Sequence, residues 1–537
     1  MMPMQIVKIS KAPETSSSTL VSLPSLTFLL LVIFLYLTTL SSAFHRVTFS
    51  VVDKVFSTMV LSSFLFWGIH CIGYVDKLIK SLLIYSFQFN SDLKKNGNTP
   101  PKVAIFIPVF NEEPKIVEPT IAMCTQINYN NFEIFLLDDS TDEKIHKNLM
   151  ELSKRFDINY IHRRNRRGYK AGAINDAINN LNEDVKYLLI VDADHRLKPD
   201  ILNEVVPILE NNPSIAFVQT PQYFTEKTGD RLAIAYSFQQ HIFNKHVCRG
   251  LSVNNSAFIT GTNVIIRLSY LRKIGGIDES CITEDIATSF TFHSHGYNSI
   301  YLDKVYAEGI APPSLSAYFT QQMRWAYGTT QNFKKVIKAF LSNPRSLKFA
   351  QWWEYMLNGS WYLLSWAFLI WLLYPIAVLL LGIKPLVLST NILFFLLFVS
   401  MIGSQFVTSI RERDYRIKDL LISQALYNGL FPVFIRASIY ALLGRKMEFR
   451  VTPKTLRHRY EVKTIPFTQI FPHLLVLGFL IVSIIVGIWK MTTESIAYNI
   501  QIAIYWAIYN AIMLLIFIFL FYLEDVRKVK INENQGK

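Results

Sequence analysis

Residues 187–194 read YLLIVDAD, an apolar run that ends in two aspartates separated by one residue. A short, continuous apolar run is typical of a strand buried on both faces, as in parallel sheets. Similar runs and intervening helical patterns lie nearby, the strands at 103–109, 133–137 and 215–219 and the helices at 170–181 and 199–209. This alternation predicts an α/β domain whose mostly parallel sheet is covered by helices on both faces.

Long apolar segments flank this domain within the 537 residues of the chain. They lie at 23–44, 55–76, 355–382, 386–409, 420–443, 467–488 and 499–522. Each is long enough for a bilayer core, which needs about 20 apolar residues per helix. The sequence therefore predicts a soluble domain inserted between membrane segments.

The segment 420–443 differs from the others because basic loops lie on both sides of it. The loop before it carries Arg411, Arg413, Arg416 and Lys418, and the loop after it carries Arg445, Lys446, Arg450, Lys454, Arg457 and Arg459. Loops rich in Lys and Arg favour the cytoplasmic side, so both loops lie there only if 420–443 does not cross. Arg436 and Pro432 within it suit an interfacial or re-entrant helix. We therefore expect about six spans, with both termini and the soluble domain in the cytoplasm.

The predicted organisation has five parts. They are a cytoplasmic tail with two transmembrane helices (1–90), a cytoplasmic catalytic domain with interfacial helices (91–350), two transmembrane helices (351–410), an interfacial helix with a loop (411–466), and two transmembrane helices with a short tail (467–537).

Charge and cysteine content narrow the function classes. The formal net charge of +14 is explained by basic loops beside membrane spans, and no zinc-finger or RNA-binding signature accompanies it. Nucleic acid is therefore not an expected partner. The four cysteines are far apart and form no CxxC pair, which argues against a disulfide framework or a structural zinc site.

Two carboxylate pairs follow predicted strands. Asp192 and Asp194 end the strand at 187–191, where alternate carboxylates can hold a divalent cation that neutralises a diphosphate. Asp138 and Asp139 end the strand at 133–137, and taken alone this pair is better explained by a helix cap or an Asx turn.

Two further groups of residues point to group transfer. Glu284 and Asp285 open a helical pattern after Thr283, either as helix-capping acids or with Asp285 as a general base. Gln321, Arg324 and Trp325 form the pattern Gln-x-x-Arg-Trp, in which Trp325 suits either a membrane interface or the apolar face of a sugar.

In this order the four groups resemble processive family 2 glycosyltransferases, with the bacterial cellulose synthase catalytic subunit as the nearest pattern and hyaluronan synthases as a related one. Further matches are Pro108-Val109-Phe110-Asn111-Glu112, Tyr169-Lys170-Ala171-Gly172, Phe217-Val218-Gln219-Thr220-Pro221 and Phe449-Arg450-Val451-Thr452-Pro453-Lys454. The resemblance implies a GT-A-type domain and extends over about residues 100–455.

The resemblance also implies roles for single residues. Nucleotide-sugar binding falls to Glu112, Asp138, Asp139, Lys170 and Asp192, the choice between Asp138 and Asp139 remaining open. Asp194, with Asp192, would ligate Mg²⁺ or Mn²⁺, and Asp285, beside Glu284, would deprotonate the acceptor hydroxyl. Gln321, Arg324 and Trp325 would bind acceptor and diphosphate, and Phe449, Val451, Thr452 and Lys454 would belong to a gating loop.

The family's Phe-Phe-Cys-Gly segment is Phe258-Ile259-Thr260-Gly261 here, which leaves the contact with the acceptor end open. The expected activity is inverting, processive synthesis of a β-linked polysaccharide from a nucleotide sugar, by resemblance UDP-glucose, coupled to export across the plasma membrane. The expected partners are the donor, the growing chain, the bilayer and an accessory subunit. The alternatives are transfer of one sugar to a lipid or protein, and a non-catalytic membrane scaffold.

Overall fold

The computed structural model describes residues 23–45, 48–85, 100–225, 230–384, 416–447, 466–493 and 498–528. The predicted span at 386–409 and the gating-loop residues Phe449, Val451, Thr452 and Lys454 lie outside the described residues.

Two sheets form the centre of the soluble domain. The strands are β1 (Lys102–Val109), β2 (Phe132–Asp138), β3 (Asn159–His162), β4 (Val185–Ile190), β5 (Arg196–Leu197), β6 (Ile215–Gln219), β7 (Tyr223–Thr225), β8 (Val264–Arg267), β9 (Asn298–Tyr301) and β10 (Ala307–Ile310). The large sheet has the order β3-β2-β1-β4-β8-β6-β9, and the small sheet has the order β5-β10-β7.

The predicted strands are confirmed, but the large sheet is mixed. Strands β3, β2, β1 and β4 run parallel, whereas β8 is antiparallel to both β4 and β6. The sequence analysis did not predict β8, which follows a loop rather than a crossover helix. Central positions of the sheet are fully buried, including Ile105, Leu189 and Val218. This explains their continuous apolar runs.

Helices cover both faces of the sheet and form the membrane region. In chain order they begin with α1 (Leu23–His45), α2 (Val51–Ile79), α3 (Pro114–Thr125), α4 (Glu143–Arg155), α5 (Tyr169–Asn179), α6 (Ile201–Asn211), α7 (Arg231–Ile242), α8 (Cys248–Val253), α9 (Leu268–Lys273) and α10 (Glu284–Ser294). The others are α11 (Leu315–Ser342), α12 (Phe349–Ser360), α13 (Leu364–Leu379), α14 (Ile417–Asn428), α15 (Phe431–Leu442), α16 (Phe467–Thr493) and α17 (Tyr498–Phe517).

Four helical stretches among the described residues are long and apolar enough to cross a membrane. They are Val51–Leu82, Phe349–Leu379, Phe467–Thr493 and Ile500–Lys528. Large apolar side chains on them remain exposed, such as Ile485 at 62% and Trp489 at 60%, which fits contact with lipid. Among the described residues, four spans are thus supported rather than the six predicted over the whole chain.

Segment 420–443 forms two helices, α14 and α15, which meet at an angle of 42°. The break lies at Gly429, where a β-carbon would clash with the ring of Phe517 on α17. Such a bend is compatible with a re-entrant pair or with one broken span, so the predicted interfacial placement stays a prediction.

Buried charges join the soluble domain to the membrane helices. Lys77 at the end of α2 contacts Glu354 of α12 at 2.7 Å, and Asn254 donates to Glu354 at 2.8 Å. Gly250 allows α8 to approach the backbone at Lys77, where a β-carbon would lie only 2.6 Å from the carbonyl oxygen. These contacts position the sheet relative to the helices that lie beside the cleft described next.

Candidate active site

A cleft of about 480 Å³ opens at the carboxyl ends of the parallel strands β1, β2 and β4. Parallel sheets place ligand sites at this edge because the residues that follow each strand converge there. Helix α11 closes the opposite side with Gln321, Arg324 and Trp325. The predicted donor, metal and acceptor groups therefore line one cleft.

The end of β2 places its two aspartates in different surroundings. Asp139 lines the cleft and forms a two-point ion pair with Arg163, at 2.8 Å to Nε and 2.6 Å to Nη2. Asp138 is fully buried, accepts a hydrogen bond from Tyr160 at 2.5 Å and does not line the cleft. Of the two, only Asp139 lines the cleft, and the nucleotide-binding role of either stays a prediction.

An aromatic and a basic side chain form the mouth of the cleft beside Asp139. The guanidinium carbon of Arg166 lies 3.4 Å from the ring centroid of Phe110, and both residues line the cleft. Glu112 lines it as well, and its carboxylate accepts the backbone N–H of Phe110 at 3.3 Å. A planar cation over a planar ring is a surface on which a nucleobase can stack.

The end of β4 brings three metal-ligating groups together. Ligand atoms of Asp192, Asp194 and His195 lie within 4.8 Å of one another, and His195 Nδ1 is 3.3 Å from Asp194. His195 Nε2 is buried and has no hydrogen-bond partner among the described residues. Gly309 on β10 leaves room for the imidazole, since a β-carbon there would lie 2.7 Å from it. Carboxylate oxygens suit Mg²⁺ or Mn²⁺, so Asp192 and Asp194 fit the predicted metal, with His195 beside them.

Lys170 connects the donor side to the floor of the cleft. Its ammonium donates to Asp192 at 2.5 Å and to the carbonyl of Gly261 at 2.7 Å. Burial lowers the pKa of Lys170, but Asp192, Glu284 and Asp285 outweigh it and raise that pKa above its ordinary value. Lys170 therefore stays charged among the carboxylates.

Asp285 has the protonation behaviour of a general base. It opens α10 at the floor of the cleft, where burial and the neighbouring Glu284 raise its pKa to about 7. Burial likewise raises the pKa of Glu284, against the opposing effect of Lys170. A carboxylate whose pKa lies near neutrality accepts a proton more readily than an ordinary aspartate.

Helix α11 is held directly against the loop that carries Asp285. A β-carbon at Gly328 would lie 2.6 Å from Thr283, and Asn332 donates to the Thr283 hydroxyl at 2.8 Å. One turn earlier, Arg324 reaches the carboxylates, since Glu284, Asp192 and Asp285 oppose the lowering of its pKa by burial. The Gln-x-x-Arg-Trp pattern is thereby fixed relative to the base.

Gly261 lines the cleft and ends the segment 258–261, which differs from the Phe-Phe-Cys-Gly segment of the family. Its φ is +90°, and a β-carbon would lie 3.5 Å from Asp285 Oδ2 and 4.0 Å from Lys170 Nζ. Only a glycine combines this backbone conformation with this proximity at little cost. The neighbouring Thr260 carbonyl accepts a hydrogen bond of 2.5 Å from Gln222.

Comparison with known proteins agrees with this geometry. Residues 187–401 match the family model described as "Glycosyl transferase family group 2". A UDP-forming cellulose synthase catalytic subunit of Pseudomonas fluorescens (strain SBW25) is 31% identical over 249 residues, which cover 45% of this chain and 33% of that protein. A probable glucomannan 4-beta-mannosyltransferase of Oryza sativa subsp. japonica is 29% identical over 259 residues, covering 46% of this chain and 43% of that protein. Residues 187–401 of this chain therefore match a family 2 glycosyltransferase domain.

A solved structure supports the fold of the glycosyltransferase domain. A mannosyltransferase from Pyrobaculum calidifontis, in complex with GDP-Man and Mn²⁺, superposes with a TM-score of 0.51 at 17% identity. The match covers 73% of this chain and 100% of that one, so the GT-A-like α/β fold is confirmed. The chain spans less than half the length of the two curated relatives named above, 33% and 43%.

Several cleft residues of the glycosyltransferase domain were not among the predicted ones. Arg163, Arg166, His195, Gln222 and Gly261 all lie in or against the cleft. His195 directly follows the predicted metal pair, and that adjacency was a usable signal. The arginines lie in the run Arg163-Arg164-Asn165-Arg166-Arg167, where only the fold distinguishes a cleft residue from a surface charge.

Proposed function

We propose that this protein is a processive membrane glycosyltransferase that builds a β-linked polysaccharide from a nucleotide sugar, with inversion at the anomeric carbon. The observation that carries the proposal is the placement of Asp285, with a pKa of about 7, in one cleft with Asp192 and Asp194. A base and a diphosphate-binding pair in one cleft are what direct displacement requires.

On the donor side, Asp139 and Glu112 face the nucleotide, while Arg166 and Phe110 offer a surface for the base. Asp192, Asp194 and His195 would hold Mg²⁺ or Mn²⁺, which neutralises charge on the diphosphate leaving group. Arg324 adds a fixed positive charge beside these carboxylates, where negative charge develops as the glycosidic bond to phosphate breaks.

On the acceptor side, Asp285 takes the proton of the attacking hydroxyl. The hydroxyl oxygen forms its bond to the anomeric carbon while the bond from that carbon to the diphosphate oxygen breaks, so the configuration inverts. Trp325 offers a flat face to the terminal sugar, and Gln321 offers an amide for its hydroxyls. The predicted gating loop, with Phe449, Val451, Thr452 and Lys454, would close over the donor.

Processive export is supported by aromatic residues within the apolar helices that follow α11. Tyr362 of the α12–α13 connection packs on Phe434 with ring centroids 4.9 Å apart, and Tyr427 lies 5.6 Å from Phe434. Rings of this kind suit the apolar faces of sugars. We place the protein in the plasma membrane with its catalytic domain in the cytoplasm, using UDP-glucose as donor and a growing β-glucan as acceptor.

Radiolabel transfer from a panel of nucleotide sugars tests the proposal. The purified protein is reconstituted in proteoliposomes with Mg²⁺ or Mn²⁺, and products are sized and digested with linkage-specific glycanases. The proposal predicts a high-molecular-weight product from one donor, lost in Asp285→Asn. A short lipid- or protein-linked product would instead identify the single-transfer enzyme, and no transfer together with no nucleotide binding would overturn the enzymatic proposal.

A further inference from the structure

A second group of metal-ligating side chains lies behind the cleft, at the edge of the large sheet. It consists of Asp138 at the end of β2, His162 at the end of the edge strand β3, and His146 on α4. Asp138 and His162 are paired across the two parallel strands, which places their side chains on the same face. Helix α4 covers that face and adds the third group.

The distances between these groups match tetrahedral coordination. Asp138 Oδ2 lies 3.4 Å from His146 Nδ1 and 3.5 Å from His162 Nδ1, and each of the three residues has a ligand atom within 4.8 Å of a ligand atom of the other two. Zinc bonds of about 2.1 Å at tetrahedral angles separate two ligand atoms by about 3.4 Å. The pairs that involve Asp138 therefore already have the spacing of ligands on one ion.

Hydrogen bonds within the group leave one of its ring nitrogens unsatisfied. Tyr160 donates to Asp138 at 2.5 Å and lies 2.6 Å from His146 Nδ1, while Ser140 N donates to Asp138 at 2.8 Å. His162 Nδ1 is buried and has no hydrogen-bond partner among the described residues. A fully buried carboxylate is unfavourable unless a proton or a cation faces it, and His162 Nδ1 can supply a proton in one tautomer or bind a cation in the other.

We propose that Asp138, His146 and His162 bind Zn²⁺, separately from the Mg²⁺ or Mn²⁺ of the cleft. Imidazole ligands favour zinc over magnesium, and Tyr160 supports the carboxylate by its hydrogen bond. His146 would release to solvent the Nδ1 proton that it donates to Tyr160 and turn that nitrogen to the ion. The imidazoles are 22% and 24% exposed, so an ion and a water as fourth ligand reach the site from solvent. The sequence analysis argued against structural zinc from the cysteines alone and did not examine these histidines.

The ion would join β2, β3 and α4 directly beside the ion pair of Asp139 and Arg163. Asp139 follows Asp138, and Arg163 follows His162, so the two ligands adjoin both halves of the Asp139–Arg163 ion pair. Strand β3 has only four residues and lies at the edge of the sheet that the described residues form. Zinc would therefore hold an otherwise weakly attached edge strand, and with it Arg163.

Zinc retention by the full-length protein tests this site. Untagged protein in detergent is stripped with EDTA, incubated with Zn²⁺ in excess Mg²⁺, gel-filtered, and assayed for metal by mass spectrometry. We expect about one zinc per chain in the native protein, and an apparent melting temperature higher by about 5–10 °C when free Zn²⁺ is 100-fold above its dissociation constant.

The variants separate this site from the cleft and from nonspecific binding. His162→Gln and His146→Gln should each lose the zinc and the thermal shift while eluting as monodisperse protein. His295→Gln, an exposed histidine at the end of α10, and Asp194→Asn in the cleft should keep both. No retained zinc in the native protein, equal retention in His162→Gln, or loss in Asp194→Asn would overturn the proposal, whether or not the protein transfers sugar.

Discussion

The carboxylates of the cleft are neutralised differently on its two sides. We call the side with Asp139 and Arg163 the wall, and the side with Asp192, Glu284 and Asp285 the floor. On the wall, Asp139 is matched by the guanidinium of Arg163 at 2.6 Å, and Asp176 shares the same arginine at 2.8 Å. On the floor, Asp192, Glu284 and Asp285 share Lys170, and the pKa of Asp285 is raised to about 7.

The difference teaches which carboxylates are structural and which are reactive. A carboxylate in a two-point ion pair keeps its charge and geometry, which suits recognition of a nucleotide. Carboxylates that outnumber their cations favour an additional cation and hold a proton near neutral pH. We therefore propose that the wall recognises the donor and that the floor carries the chemistry, and the following variants test that division.

The largest effect is expected for Asp285→Asn, which removes the base but keeps the shape of the floor. We expect transfer to fall by about 10²–10⁴-fold, the usual contribution of a general base, with nucleotide affinity unchanged within about twofold. Radiolabel transfer and nucleotide titration measure the two quantities. Glu118→Gln, at the surface beside Arg155, is the control. Near-native transfer by Asp285→Asn would show that Asp285 is not the general base.

Asp194→Asn should lower transfer by about 100-fold or more, because a metal-ligating carboxylate is replaced by a weaker, neutral ligand. We also expect its residual activity to lose most of its response to added Mn²⁺. Transfer rates across a Mn²⁺ series, compared with the control variant, measure both effects. A native-like Mn²⁺ response would place the metal elsewhere.

Activity should depend on pH as the titration of Asp285 requires. Because its pKa is raised to about 7, the fraction in the basic, ionised form increases as pH rises through that value. We therefore expect kcat/KM to fall about tenfold per pH unit on the acid side of the profile. A bound divalent cation lowers this pKa and moves the midpoint to more acidic pH. The absence of any acid limb in the metal-loaded enzyme, down to the pH at which the protein unfolds, would contradict this assignment.

Gly261→Ala tests how closely the backbone approaches the base. Its φ is +90°, and the new methyl group would lie 3.5 Å from Asp285 Oδ2. We expect about tenfold slower transfer, together with backbone strain of about 1–2 kcal/mol. Gly275→Ala is a matched control, because its φ is also +90° but its β-carbon would meet nothing within 4 Å. Equal losses in the two variants would assign the effect to strain alone.

The smallest effect is expected on the wall. Arg163→Lys keeps the charge but loses the two-point contact with Asp139, because an ammonium lacks the planar guanidinium geometry. We expect KM for the donor to rise about threefold to tenfold with kcat nearly unchanged. Steady-state kinetics with varied donor measure this. A fall in kcat with an unchanged KM would move Arg163 from recognition to chemistry.

The sequence predicted the parallel half of the sheet because buried strands such as 187–191 are continuously apolar. It did not predict β8, a four-residue strand whose direction depends on its neighbours β4 and β6. The site shows the same contrast between residues that stand in a sequence pattern and residues that depend on the fold. Asp192, Asp194 and Asp285 stand in recognisable patterns, whereas Arg163 and His162 act through partners that only the fold brings near.

Nucleotide binding with and without Mn²⁺ tests most directly whether different residues of the floor carry metal binding and proton transfer. UDP is titrated calorimetrically into the native protein, Asp285→Asn and Asp194→Asn. The account predicts that Mn²⁺ strengthens binding in the native protein and in Asp285→Asn, and has little effect in Asp194→Asn. Loss of the Mn²⁺ effect in Asp285→Asn, or its survival in Asp194→Asn, would contradict the separation of metal binding from proton transfer.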